Sequence, residues 1–251
     1  MGRRETGERI QYRKLTQLSE FEQLIEIQRE VWGFADVEIV PSRLFLIAHK
    51  VGGQVIGAED GERIIGYCFS LPGIRRDTGG IYLHSHMLAV LPDYRNRGIG
   101  RQLKLEQRKE ALERGIDLIE WTFDPLELKN AYLNIERLGV IVRRYIRNYY
   151  GITTSKLHSG MPTDRCVAEW HLDTERTRRI LEGGEREREP VVERIPIPAD
   201  IARIRHENIR EALRIQREAT EKFEECFDRG LAVTGFERSE KYGTYLLSPW
   251  P

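Results

Sequence analysis

Residues 81–113 read IYLHSHMLAVLPDYRNRGIGRQLKLEQRKEALE, a strand, a glycine-bearing turn and a long helix in succession. Ile81 to Val90 is rich in apolar and β-favouring residues with no internal Gly or Pro, which predicts a mostly buried strand. Pro92 and Asp93 stop it. From Gly98 onward Ile99, Leu103, Leu105 and Leu112 recur at roughly helical spacing, with Arg101, Lys104, Arg108, Lys109 and Glu110 on the other faces. A helix that opens at Gly98 and Gly100 leaves the N–H groups of its first turn unpaired and positively polarised, which suits a phosphate. Arg95, Arg97 and Arg101 add cationic charge, favouring a diphosphate over a neutral ligand. An ordinary strand-to-helix turn would use the same glycines. The Gly-x-Gly-x-x-Gly spacing of a dinucleotide site and the Gly-Lys-Ser/Thr of a Walker loop are both absent from the turn.

Composition narrows the classes further. The 251 residues suffice for one large domain, or for one ordinary domain with an appendage. Lys+Arg and Asp+Glu are both 40, so no net field draws the chain to nucleic acid or to an anionic membrane. Cys68, Cys166 and Cys226 are scattered and odd in number, which suggests neither a disulfide framework nor a zinc site and places the protein in the reducing cytoplasm. Met1 to Ile10 holds Arg3, Arg4, Glu5, Glu8 and Arg9 without an apolar run, unlike a signal peptide. No stretch approaches the roughly 20 apolar residues of a membrane-spanning helix.

Along the chain, Ile10 to Leu15 reads as a first strand, and Ser19 as the cap of a helix that Gly33 ends. Pro41 to Val51 is a second helix. Gln54 to Glu59 and Ile64 to Leu71 form a hairpin, and Pro72 to Gly80 is a polar loop, either a solvated connection or a segment that closes over a ligand. After the central strand and helix come a strand at Leu118 to Phe123, a helix from Leu126 to Leu138 closed by Gly139, and strands at Val140 to Tyr150 and Arg165 to Leu172. The charged run 173–194 reads as a linker. Val191 to Ile197, a helix over Ile201 to Arg229, and a hairpin at 231–247 make a C-terminal β-α-β-β extension, which must pack on the first domain or on a second subunit, as in a homodimer. The division is therefore 1–172, 173–194 and 195–251.

For chemistry, His84 and His86 stand out, two apart on the central strand and so on one face of the sheet. A neutral imidazole accepts a proton near pH 7. Two structural histidines held by hydrogen bonds are the alternative; a zinc site would need a third ligand. Cys68 and Cys166 lie inside apolar strands, where a thiol is inert packing rather than a nucleophile.

Arg95-Asn96-Arg97-Gly98-Ile99-Gly100, after a strand ending Leu-Ala-Val-x-Pro, resembles the coenzyme A-binding signature of the GNAT superfamily of N-acetyltransferases. The β, α, α, β, β, β, α, β, α, β, β succession over residues 10–172 is similar to that family's mixed, twisted α/β (α+β) sheet flanked by helices. The resemblance implies that Leu88, Ala89 and Val90 line the pantetheine arm of acetyl-CoA or another acyl-CoA. It implies that Asn96, Arg97, Gly98, Ile99, Gly100 and Arg101, beside Arg95, hold the pyrophosphate, and that no metal is needed. In some members a His-x-His pair at the offset of His84 and His86 relays the proton. The residue four before Gly139, a tyrosine in many members, is Ile135 here, which leaves Tyr132 or a bound water to protonate the leaving thiolate. The segment from Trp121 to Gly151 resembles a bacterial and archaeal subgroup of predicted GNAT proteins. The activity implied is acyl transfer to the amine of a small molecule, by direct attack, with succinyl transfer or non-catalytic acyl-CoA sensing as alternatives. Arg43, Arg143, Arg144 and Arg147 are candidates to meet a substrate carboxylate.

Overall fold

The computed structural model describes residues 10–151, 160–184 and 190–250, and the chain divides after Ile116 into two compact units. The readings made on residues 1–9 and on the middle of the charged run, 185–189, lie outside the described residues. No helix among the described residues is long and apolar enough to cross a membrane.

The first unit is built on four antiparallel strands, β1 (Gln11–Lys14), β2 (Gln54–Asp60), β3 (Arg63–Ile74) and β4 (Ile81–Val90), which neighbour one another in that order. Helices α1 (Leu18–Trp32) and α2 (Ser42–Lys50) cover one face. There Phe45 of α2 meets Phe21 of α1, Tyr67 and Phe69 at ring-centroid distances of 5.9, 5.9 and 4.8 Å. Helix α3 (Ile99–Glu113) covers the other, where Cys68, between those two aromatic residues, points its Sγ at the Leu103 carbonyl, 3.6 Å away. Helix α1 starts at Leu18, not at a Ser19 cap: the Glu20 carboxylate reaches back to accept the N–H groups of Thr16 and Gln17 at 2.7 and 2.8 Å, which fixes the start one turn ahead of it. The predicted loop 72–80 is shorter than its polarity suggests. Gly73 pairs with Tyr82 and Ile74 with Ile81, and the turn is closed by Arg75 N–H to the Gly80 carbonyl at 2.8 Å, so Pro72 to Ile74 are strand.

One irregularity in this sheet matters for everything that follows. Phe69 pairs with Met87 and Ser70 with Ser85, which leaves His86 as one extra residue on β4, a β-bulge. Side-chain alternation resets there. Met87 lies on the α2 face, with its sulfur 3.5 Å from the Tyr67 hydroxyl, whereas Ser85 lies on the α3 face, 2.9 Å from the Lys104 ammonium. The buried stripe of α3 also departs from expectation. It is Ile99, Leu103, Gln107 and Ala111, with Lys104 and Glu110 beside it, while Leu105 and Leu112 are only half-buried. Those polar groups have partners beneath the sheet: Ser70 donates to Gln54 at 3.0 Å, Gln54 to the Gln107 carbonyl at 3.1 Å and to Glu110, and Lys14 to Glu110 at 2.9 Å.

The second unit is a six-stranded antiparallel sheet made of β5 (Leu118–Phe123), β6 (Ile141–Ile146), β7 (Arg165–His171), β8 (Glu193–Pro198), β9 (Leu231–Arg238) and β10 (Tyr242–Pro249). Their spatial order is β5-β7-β6-β9-β10-β8. The C-terminal extension is continuous with the preceding strands, since Val142 of β6 pairs with Val233 of β9. Its core joins Tyr145, Phe223, Phe236 and Tyr245, with centroids 4.9 to 5.4 Å apart along the chain of contacts.

Three helical features differ from the sequence reading. The segment before Gly139 is a short α4 (Leu128–Ala131) followed by a π-helical stretch, Tyr132–Leu138, with the Val140 N–H on the Asn134 carbonyl at 3.0 Å. The start of the supposed linker is a helix, α5 (Glu175–Leu181), because Thr174 caps it and Thr177 is buried, donating to the His171 carbonyl at 2.7 Å. The long C-terminal helix is two, α6 (Ile201–Glu207) and α7 (Ile209–Asp228). They break at Asn208, whose side chain accepts the Glu211 N–H at 3.2 Å and so starts a new helix.

Candidate functional site

The first unit brings together the end of β4, the arginine-rich turn and the start of α3. Asn96 and Gly98 both have left-handed backbones, with φ of 61° and 80°. Alternation of this kind turns successive N–H groups toward one point, the geometry of an anion nest. The first bond within α3 is Gln102 N–H to the Gly98 carbonyl at 3.0 Å, so the helix opens onto the turn. A β-carbon at Gly98 would find no atom within 4 Å, so the space beside its α-carbon is open. Arg95 donates through Nε to the Val90 carbonyl at 3.1 Å and ties the turn back to the strand. Arg97 lies over the Tyr94 ring at 5.1 Å, and the Tyr94 hydroxyl donates to Asp60 at 2.7 Å. No acidic side chain sits in the first turn of α3.

Among the predicted contacts, two can contribute only backbone. Ile99 is buried in the core and Ala89 faces the same core, so neither side chain lines a ligand site. Leu88 and Val90 are half-buried on the α3 face, where a β-carbon at Gly100 would sit 3.8 and 3.9 Å from them. The bulge puts them there. Without it they would share a face with the histidines.

His84 and His86 do share a face, their ring centroids 6.1 Å apart, with His86 edge-on to Phe69 at 6.0 Å. Burial, then the neighbouring His86, then Lys104 lower the pKa of His84 to about 4, and partial desolvation lowers that of His86. Both imidazoles are therefore neutral near pH 7. Among the described residues no group of three His, Cys, Asp or Glu gathers around them.

The sequence reading missed Lys104. Periodicity put it on an outer face of α3, yet it is 2% exposed, with Nζ donating to Ser85 Oγ at 2.9 Å and to Gln107 Oε1 at 2.8 Å. Burial lowers its pKa to about 7. The only early signal was its position one residue after Leu103, beside the buried stripe.

In the second unit, Tyr132 begins the π-helical stretch, half-buried, with the Arg238 guanidinium over its ring at 5.3 Å. Ile135 is fully buried. Three of the four arginines proposed for a substrate carboxylate are engaged within the protein: Arg143 and Arg144 donate to the buried Glu169 at 2.9 and 3.1 Å, and Arg147 to Glu224 at 2.7 Å. Arg43 is exposed on α2. Cys68 and Cys166 are fully buried, and burial pushes the Cys68 thiol up to about 12 and that of Cys166 well above its ordinary value.

Residues 51–138 match the family model described as an acetyltransferase (GNAT) domain. Among solved structures, the chain is similar to NAA60 of Arabidopsis thaliana in complex with acetyl-CoA, with 19% identity over 66% of this chain and 99% of that one, and a TM-score of 0.54. It is similar to YncA of Salmonella typhimurium with its cofactor acetyl-CoA, at 17% identity over 66% and 95%, TM-score 0.53. It is also similar to the ribosomal-protein-S18-alanine N-acetyltransferase of Escherichia coli, at 17% identity over 66% and 95%, TM-score 0.52. No curated protein sequence matches the chain. At these identities the structural likeness speaks for the fold, and the family model covers the segment that holds β4, its bulge, the turn and α3. Residues 51–138 thus match an acetyltransferase (GNAT) domain, within a fold similar to that of solved acetyltransferases.

Proposed function

We propose that this protein is an acyl-CoA-dependent N-acyltransferase, an acetyltransferase in the first instance, whose acceptor is the amine of a small molecule such as an amino acid. The observation that carries this is the junction of β4 with α3: left-handed Asn96 and Gly98, open space at the Gly98 α-carbon, a helix end free of acidic groups, and three arginines in and beside the turn. These features fit a pyrophosphate. The family's structural neighbours bound to acetyl-CoA support the same ligand.

When bound, an acyl-CoA supplies a thioester-activated acyl group. The chain's own part begins with deprotonation, since an ammonium has no lone pair to attack with. His84, neutral at pH 7, accepts that proton. A base with a pKa of about 4 holds a proton only briefly, so His86 or water passes it to solvent. The backbone of β4 at the bulge, where His86 has no residue opposite it on β3, offers the polar groups that orient the reacting carbonyl. Tyr132 is the proposed proton donor to the leaving thiolate. The buried thiols of Cys68 and Cys166 favour direct attack over an acyl-enzyme. On this reading residues 1–172 carry the acyl-CoA chemistry and 195–251 are an extension.

The test is thermal stability with CoA, acetyl-CoA, succinyl-CoA and longer acyl-CoAs, followed by thiol release with a panel of amines using the donor that stabilises most. A ligand at 100 times its dissociation constant adds about 2.7 kcal/mol. No upshift with any donor, in protein shown to be free of bound CoA, overturns the proposal.

A further inference from the structure

Lys104 grips β4 at the residue between the two histidines. Burying an ammonium is unfavourable unless its hydrogen bonds are met, and Lys104 meets them on Ser85 and Gln107. Ser85 is the last residue before the bulge, and its sequence neighbours His84 and His86 project from the opposite face. The Ser85 contact therefore reaches the strand where its side-chain alternation resets.

We propose that Lys104 is a positioning residue for the histidine pair: through Ser85 it holds β4 at the bulge, and as a buried cation behind the strand it opposes a second positive charge on His84, keeping that imidazole in its proton-accepting form. Lys104 is among the influences that lower His84, after burial and His86. The other ionisable groups on the α3 side include Cys68 on β3, Tyr12 and Lys14 on β1, Glu106 and Glu110 on α3 itself, and Arg114 at its end. Glu110 is held by Lys14 and Arg114. On the other face Glu59 of β2 is held by Arg13, which also pairs with Glu20 of α1, and no charged group of α1 or α2 is among those acting on His84. The arrangement is thus a lysine and a histidine pair coupled through one strand.

The functional meaning of this coupling rests on His84 being the base, but the coupling itself can be measured without substrate. The experiment is an NMR titration of the His84 imidazole in the full chain, for wild type, Lys104→Met, Lys104→Gln and Lys104→Arg. Lys104→Gln keeps a donor for Ser85 and loses the charge. We expect the His84 midpoint to rise by roughly half to one pH unit in Lys104→Met and Lys104→Gln, to stay low in Lys104→Arg, and the acid limb of kcat/KM to move with it. An unchanged midpoint in the folded neutral variants overturns the proposal. Failure of both neutral variants to fold does so too, since Lys104 is then a structural residue. Undiminished turnover in His84→Ala would instead remove the base assignment and leave a measured coupling standing.

Discussion

Ser85 and Met87 lie two residues apart on one strand and face opposite sides of their sheet, because His86 between them is a bulge. Ser85 thereby meets the Lys104 ammonium and Met87 the Tyr67 hydroxyl. The bulge separates two duties of β4: before it and at it, histidines on the α1 and α2 face; after it, Leu88 and Val90 beside the start of α3.

The histidine assignment is tested by His84→Ala. We expect at least about a tenfold loss of rate, with CoA binding retained because the turn is untouched. An unchanged rate in folded protein removes His84 as the base.

The two glycines of the turn should behave differently. At Gly98, φ is 80° and the space beyond the α-carbon is open, so Gly98→Asp costs the fold only about 1–2 kcal/mol while placing a negative charge at the proposed pyrophosphate site. At Gly100 a β-carbon makes ordinary contact with Leu88 and Val90, and Gly100→Ala should keep binding and stiffen the helix by up to about 1 kcal/mol. Calorimetric titration with CoA checks both: loss of binding in Gly98→Asp alone is the expected result.

Stability should depend on pH through His84 and Lys104, with the same sign in different windows. Between about pH 4 and 6.5 the unfolded chain binds a proton that folded His84 refuses, so this term makes stability rise with pH and fall toward acid. Its full size is on the order of 3 kcal/mol. Between about pH 7 and 10.5 Lys104 acts likewise, its burial cost being relieved as pH rises. Urea unfolding across pH should show the acid slope flattened in His84→Ala and the alkaline slope flattened in Lys104→Met.

The extension is part of the second unit's fold. Arg205 of α6 is 6% exposed and pairs with Asp124 and Glu127 at 3.0 and 3.1 Å, so Arg205→Met, leaving both carboxylates, should cost about 3–5 kcal/mol. A chain ending at Leu172 would lose the strand opposite Val142 and the rings packed on Tyr145. We expect it to aggregate or to be rapidly cleaved in limited proteolysis. A soluble, protease-resistant 1–172 chain would show the extension to be dispensable.

Cys68→Ser and Cys166→Ser should leave a folded enzyme at essentially wild-type turnover. Each buried hydroxyl that finds no partner costs about 1–3 kcal/mol of stability. Loss of turnover in folded protein would point to an acyl-enzyme instead.

Most of the element order was legible in the sequence. The central strand, the glycine turn and α3 have the predicted bounds within a residue or two, since strand propensity, Pro92 and the glycines all act over a few neighbouring residues. His84 and His86 were likewise placed on one face.

What the sequence by itself determined was local: where strands and helices run, where the backbone can turn left-handed, and which imidazoles the central strand carries. Tertiary structure decided the rest, and each instance involves a distant partner. Gln107, Glu110 and Lys104 could be buried only because Gln54, Ser70, Ser85 and Lys14 come from other strands to satisfy them. The bulge at His86 exists in the pairing of β4 with β3, which residue-by-residue alternation cannot register. Tyr132 sits in a π-helical turn, and the second unit builds α5 from a charged run because Thr177 finds the carbonyl of His171. Periodicity assumes that polar residues want water. A buried partner with matching geometry removes that preference, and only the folded chain supplies one.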